Sequence, residues 1–127
     1  MIVVDANVLI GLYDPLDANH SVARYLLRAH ASTQLAMSAL TLAEFLIRPA
    51  ATGKVAPAEA FVASMGIIVS PLLAADAPRI AYIRATSGLK LPDAVVLWLA
   101  QASAARLMTL DDRLAKAAIA AGIEVVA

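Results

Sequence analysis

Four acidic side chains interrupt the most apolar stretches of this chain, and each must be accommodated by whatever the chain folds into. Asp5 follows Met1-Ile2-Val3-Val4, and Glu44 sits inside Leu42-Ala43-Glu44-Phe45-Leu46-Ile47. Asp93 precedes Ala94-Val95-Val96-Leu97-Trp98-Leu99-Ala100, and Asp111 closes Leu107-Met108-Thr109-Leu110. A carboxylate taken into an apolar interior neutralises, pairs or binds a metal, because the unpaired charge costs many kcal/mol there. Few Lys or Arg lie near these four in sequence. If the fold brings the acids together, a hard divalent cation is the natural counter-charge.

The chain has 127 residues, enough for one domain with a sizeable core. Hydrophobic residues make up 61% of it and mean hydropathy is +0.77, which leaves apolar surface beyond one small core and points to self-association or a bound partner. No run approaches the roughly 20 apolar residues of a membrane span, and no basic leader precedes the first apolar run, so a non-membrane, cytoplasmic protein is expected. Cys is absent, which excludes disulfides and thiolate metal sites. The formal net charge is +0, so no global field draws in nucleic acid, although a local basic rim remains open.

Periodicity and breakers give alternating short strands and helices. Strands are expected at Ile2–Val4, Leu35–Met37, Ile67–Val69, Arg106–Thr109 and Glu124–Val126. Helices are expected over Ala6–Leu12 and over Ala18–Ala31, the latter with Val22, Leu26 and Ala29 on one face. A third runs from a Ser38 cap to Arg48, where Pro49 ends it. Pro57 and Glu59 open a fourth that ends near Gly66. The remaining helices span Ala75–Thr86, Pro92–Ala105 and Asp111–Ala121, and the helix after Pro92 is apolar all round. Such alternation predicts an α/β layer fold with a mainly parallel sheet. Ligands of these sheets bind beyond the carboxyl ends of the strands, where Asp5 and Asp111 would lie. Asp93 and Glu44, on helices packed at that edge, can join them.

Each acid also has a structural reading. Asp5 and Asp111 suit N-caps, Asp93 suits a helix N-terminus, and Glu44 can pair with Arg48 at i, i+4. Asn7 can orient Asp5 or serve as a plain helix residue, and Thr109 suits any strand. His20 and His30 lack a ligand spacing and read as surface helix residues. Arg48, Lys54, Lys90 and Arg113 read as solvated ends and loops, or as phosphate contacts if they ring the acids.

In this order, the segments Val3-Val4-Asp5-Ala6-Asn7-Val8-Leu9-Ile10, Thr41-Leu42-Ala43-Glu44-Phe45, Leu91-Pro92-Asp93-Ala94 and Thr109-Leu110-Asp111 resemble the PIN-domain ribonucleases, and among them the VapC toxins of bacterial toxin–antitoxin pairs. The resemblance spans the chain, with little signal between Ala50 and Gly88. It implies a three-layer PIN-like α/β fold over residues 1–127, with a mainly parallel central sheet flanked by helices. It also implies an acidic site of Asp5, Glu44, Asp93 and Asp111 supported by Asn7 and Thr109, with Asp112 the alternative to Asp111. Clustered carboxylates holding Mg²⁺ or Mn²⁺ suit phosphodiester hydrolysis by metal-activated water. The resemblance supplies RNA as substrate, a cognate antitoxin and a homodimer. The alternatives are a non-catalytic PIN-like interaction domain and an acid-site phosphatase-like hydrolase. Against the latter, a haloacid-dehalogenase-like site wants Asp two residues after Asp5, where this chain has Asn7. A phospho-accepting receiver domain is disfavoured because no Asp lies between Asp17 and Asp76.

Overall fold

The computed structural model describes residues 1–126. Four parallel strands form the sheet: β1 (Ile2–Val4), β2 (Leu35–Ser38), β3 (Ile68–Ser70) and β4 (Arg106–Met108), in the order β3-β2-β1-β4. β1 is the central strand between β2 and β4, with Ile2 beside Leu35 and Val4 beside Met108. Its residues alternate between two cores. Ile2 and Val4 face one with Val8, Leu9, Met37 and Phe45; Val3 faces the other with Val95, Val96, Trp98, Leu107 and Leu114. A sheet buried on both faces explains why β1 reads as an unbroken apolar run rather than an alternating one.

Helices α1 (Ala6–Tyr13) and α2 (His20–Ala29) connect β1 to β2, and α3 (Ala39–Ala51) and α4 (Val55–Ser64) connect β2 to β3. A 3-10 turn at Ala74–Asp76 leads into α5 (Ala77–Ser87), then α6 (Leu91–Ala102), and α7 (Asp112–Ala120) follows β4. In α6 all residues from Ala94 to Ala100 are buried, so this helix, which carries no charge after Asp93, forms the middle of the second core. Side chains fix several starts: Asp5 Oδ1 accepts from the Ala6 amide at 2.8 Å, and Ser38 Oγ accepts from the Thr41 amide at 3.1 Å.

Several boundaries differ from the sequence reading. Pro49 does not end α3, which continues to Ala51. A proline late in a helix forfeits one backbone bond and its φ is already helical. Here the following turn closes on it, because the Thr52 and Lys54 amides donate to its carbonyl. α2 buries Ala23, Leu26 and Leu27, leaving Val22 and Ala29 exposed, so its apolar face is rotated from the expected one. α4 begins at Val55, before Pro57. The expected strand Glu124–Val126 is reduced to one parallel bridge, Leu107 to Val125, with Val126 N–H donating to Leu107 O at 2.8 Å. Three residues flanking that bridge give too little ladder to propagate a strand.

α6 also stops before Ala105. Ala104 adopts φ 48, the left-handed region, and the Ala105 amide donates to Ala100 O at 2.9 Å, closing the turn as a Schellman-type cap. An L-residue with a Cβ is strained there, and glycine relieves that at some cost in unfolded-chain entropy. Ala104→Gly is therefore expected to stabilise the chain by about 0.5 kcal/mol, raising Tm by roughly 1–3 °C in a calorimetric scan. A lowered Tm would contradict the left-handed cap.

Candidate active site

The carboxyl edge of the sheet is built by the pairing of β1 with β4. The two strands end level, and the Asp5 amide donates to Met108 O at 2.9 Å. Asp5 and Thr109 are thereby placed side by side, just past their strands. Thr109 Oγ1 donates to Asp5 Oδ2 at 2.7 Å and accepts from the Asp111 amide at 3.0 Å. Asn7 Oδ1 accepts from the Leu110 amide at 3.2 Å. The two loops that carry Asp5 and Asp111 are thus stitched together by one hydroxyl and one side-chain amide. Asn7 braces the neighbouring loop and makes no bond to Asp5.

Asp5 is 6% exposed and has both carboxylate oxygens bonded, yet burial pushes its carboxyl above the ordinary value of 3.8. Its bonds to Thr109 and Ala6 oppose that shift, and the charges of Asp93 and Asp111 add to it. Glu44, about a turn and a half into α3, is half-buried. Its carboxyl is also raised, first by burial and then by the charges of Asp5 and Asp93. Asp93, in the first turn of α6, is raised by burial and by Asp111, while Lys90 and Arg113 pull it down. The fold thus links the four sequence-distant acids electrostatically through Asp5 and Asp93, each of which acts on or is acted on by both Glu44 and Asp111.

Asp111 is the N-cap of α7: its Oδ1 accepts from the Arg113 and Leu114 amides at 2.8 and 3.2 Å. Asp112 is exposed, begins the helix proper, and contributes to none of the shifts of the other acids. The cap therefore belongs to Asp111 rather than Asp112, and one Asp111 oxygen still carries no protein hydrogen bond.

The basic residues separate into two groups. Lys90 and Arg113 lie close enough to act on Asp93. Arg48 does not pair with Glu44; it reaches Asp14 at 3.1 Å, the sole ion pair among the described residues. Asp14, at the end of α1, was not singled out in the sequence, where it reads as an ordinary loop residue. Lys54 lies farther along, lining a surface hollow with Tyr13, Arg48 and Thr52. Glu44 opens onto a groove of about 310 Å³ walled by Ile10, Tyr13, Phe45 and Arg48. Thr41 and Ser38 are buried near the same edge; Ser38 is the cap its sequence position suggests, and Thr41, the first residue of the Glu44 segment, carries no signal in the sequence that marks it as buried.

As the side chains stand, no three acidic or imidazole groups among the described residues are arranged to hold a metal ion. Their chemistry nonetheless suits one. Four carboxylates meet at one edge with Asp5 and Asp93 repelled by their neighbours, and Glu44 and Asp93 make no side-chain hydrogen bond that would fix them. Repulsion spreads such a set, and a divalent cation would draw it in. Among the described residues, no helix is long and apolar enough to cross a membrane.

Residues 2–120 match the PIN domain, and the chain belongs to that family. No curated protein matches the sequence. Among solved structures, a toxin–antitoxin complex from Klebsiella pneumoniae is 25% identical, with 87% of each chain covered and a TM-score of 0.71. The Mycobacterium tuberculosis toxin VapC20, described as cleaving the sarcin–ricin loop, is 21% identical over the whole of both chains, with a TM-score of 0.79. VapBC2 from Rickettsia felis, bound to a DNA fragment from its promoter, is 16% identical over 87% of this chain and 88% of that one, with a TM-score of 0.66. The last two likenesses are likenesses of fold.

The raised carboxyls carry a stability consequence. Above the ordinary Asp value of 3.8, the folded metal-free protein holds a proton on Asp93 that the unfolded chain has lost. Stability therefore falls as pH rises through that window, up to the raised folded value, and stays lower beyond it. Asp93→Asn removes the penalty without removing a side-chain hydrogen bond. In EDTA it is expected to raise Tm at pH 7 by roughly 1–3 °C and to have little effect near pH ~2.5, well below the ordinary value of 3.8, where Asp93 is protonated in folded and unfolded chains alike. A gain of equal size at both pH values would mean that charge is not its cause.

Proposed function

We propose that this chain is a Mg²⁺- or Mn²⁺-dependent endoribonuclease, the single-domain, cytoplasmic toxin of a toxin–antitoxin pair. The observation that carries the reading is the electrostatic coupling of Asp5, Glu44, Asp93 and Asp111 at the carboxyl edge of a PIN-domain sheet. In this reading the four carboxylates hold the ion, which would supply Lewis acidity and an activated water. Thr109 and Asn7 keep the Asp5 and Asp111 loops in register, and the Thr109 hydroxyl orients Asp5. In this reading Lys90 and Arg113, beside Asp93, meet a phosphate, while Arg48 lines the groove beyond Glu44 and Lys54 the hollow next to it. Hydrolysis by water leaves a 5′-phosphate and a 3′-hydroxyl. Solved neighbours that are toxins or toxin–antitoxin complexes support the role and a small antitoxin covering the acids.

A homodimer accompanies this reading. Ile68, Val69, Leu72 and Leu73 form an exposed apolar stretch at the β3 edge of the sheet, in keeping with the chain's high hydropathy. Light scattering at micromolar concentration is expected to give twice the 13.2 kDa chain mass, and a clean monomer would count against the pairing.

RNA cleavage is expected to stop in excess EDTA and to return with Mg²⁺ or Mn²⁺; undiminished cleavage in EDTA would end the metal reading. In single-turnover assays Asp111→Asn, which keeps an N-cap acceptor, should lower the rate at least about tenfold, or roughly 1.4 kcal/mol of transition-state stabilisation. Asp112→Asn should stay within about threefold of wild type, under 1 kcal/mol.

A further inference from the structure

Helix α2 has the sequence His-Ser-Val-Ala-Arg-Tyr-Leu-Leu-Arg-Ala from His20 to Ala29, and its buried side is Ala23, Leu26 and Leu27. Residues four apart stack along a helix surface. His20, Arg24 and Arg28 therefore make one ridge of the solvent side, and Ser21, Tyr25 and Ala29 make the next. Between them runs an open furrow of about 510 Å³ lined by these six residues alone. Arg24, Arg28 and Tyr25 are exposed, the tyrosine at 69%.

The two arginines have no carboxylate partner among the described residues. The local sequence offers none, since no Asp or Glu lies between Asp17 and Glu44. Two unneutralised guanidinium groups on adjacent turns beside an exposed ring are an arrangement suited to a strand of nucleic acid: phosphates for the arginines, a base face for the tyrosine. The ridge extends over about 12 Å at 1.5 Å per residue, long enough to follow a chain rather than hold one small anion.

The ridge is also fixed relative to the acids. A neutral His20 ring must donate from Nδ1 to the Gly11 carbonyl, 2.8 Å away, because that oxygen can only accept. Gly11 lets the helices approach closely: a Cβ there would lie 3.2 Å from the Ala23 Cβ. α2 is thus clamped to α1, the helix that Asp5 caps. The whole chain carries no net charge and its acidic edge is only partly offset by Lys90 and Arg113, so an unpaired basic ridge elsewhere adds attraction for a polyanion.

We propose that the His20–Arg24–Arg28 ridge with Tyr25 is a binding site for single-stranded RNA outside the acidic centre, Arg24 and Arg28 contacting backbone phosphates and Tyr25 stacking on a base. The choice of RNA rests on the ribonuclease reading above. The full chain, in EDTA so that no cleavage occurs, is titrated against a labelled single-stranded RNA longer than the ridge, and anisotropy is followed as salt is raised. Loss of both arginines in Arg24→Ala/Arg28→Ala should weaken binding at least about tenfold and reduce the slope of log affinity against log salt by about 1.4, near 0.7 per phosphate contact. Arg24→Lys/Arg28→Lys should recover most of the slope. Tyr25→Ala should weaken binding about tenfold with the slope unchanged. Circular dichroism checks that these exposed substitutions leave the fold intact.

Wild-type affinity and slope in the double alanine variant overturn the proposal. Competition by poly-glutamate as effective as RNA, together with no effect of Tyr25→Ala, assigns the ridge to an acidic protein segment and overturns it as well. Adding Mn²⁺ to the wild-type complex separates the two readings. Ridge-dependent binding without cleavage leaves the ridge standing and removes the nuclease. Cleavage with ridge-independent binding does the reverse.

Discussion

The hydrogen bond from Thr109 to Asp5 does more than join two residues 104 positions apart. Parallel pairing of β1 and β4 ends both strands at one level, and the residue after each must leave the sheet there. Asp5 leaves as the cap of α1, and Thr109 leaves toward the cap of α7. A buried carboxylate at that junction needs a donor, and the threonine hydroxyl supplies one while accepting from the Asp111 amide. One oxygen atom therefore satisfies a buried charge and sets the start of a helix. Removing it would leave an acid desolvated and short of a partner, which is among the costlier defects a fold of this size can carry.

The same burial explains why the acids are poised rather than merely present. Desolvation is the first cause of the raised carboxyls at Asp5, Glu44 and Asp93, and the other acids add to it. Nearby cations would have cancelled the effect. Lys90 and Arg113 do so partly at Asp93, but Arg48, the base closest in sequence to Glu44, is drawn off to Asp14. The result is a set of carboxylates with more negative charge than the protein neutralises. Structural acids do not need such an arrangement, since a single capping bond or surface pair satisfies each one separately.

Much of this was legible from residue order because the informative signals are local. Asp5, Ser38 and Pro92 each mark a helix start directly after an apolar run or loop, and the fold uses them so. The Thr109-Leu110-Asp111 segment points to Asp111 over Asp112, and the structure makes Asp111 the cap of α7, the structural role its position also suits. What failed depends on three-dimensional competition. Pro49 looks like a stop, but a helix already established over Ala39–Arg48 tolerates one missing bond near its end. The apolar face of α2 was placed through Val22 and Ala29, while packing against α1 selects Ala23 and Leu27. Glu44 and Arg48 have helix-pair spacing, yet Asp14 on another element offers Arg48 a better partner. No periodicity within one segment reports a choice made between segments.

The rotation of α2 links these failures to the surface charge. Had Val22 and Ala29 faced inward, the helix would have turned its cations toward a different side. With Ala23, Leu26 and Leu27 buried, Arg24 and Arg28 fall on the solvent side in one row. The small side chain at Ala23 matters here, because it is the contact that meets Gly11 and permits the close approach of α1. A packing choice between two small residues thus decides where positive charge is displayed. Formal neutrality of the whole chain hides this separation, with acids gathered at the sheet edge and arginines that have no carboxylate partner among the described residues on a helix clamped to the one that Asp5 begins. Fields from such separated groups differ in sign from place to place, and over distances beyond about 8–10 Å at physiological salt each is screened from the other. Under the ribonuclease reading proposed above, a polyanion would be held by one region while its scissile bond is presented to the other.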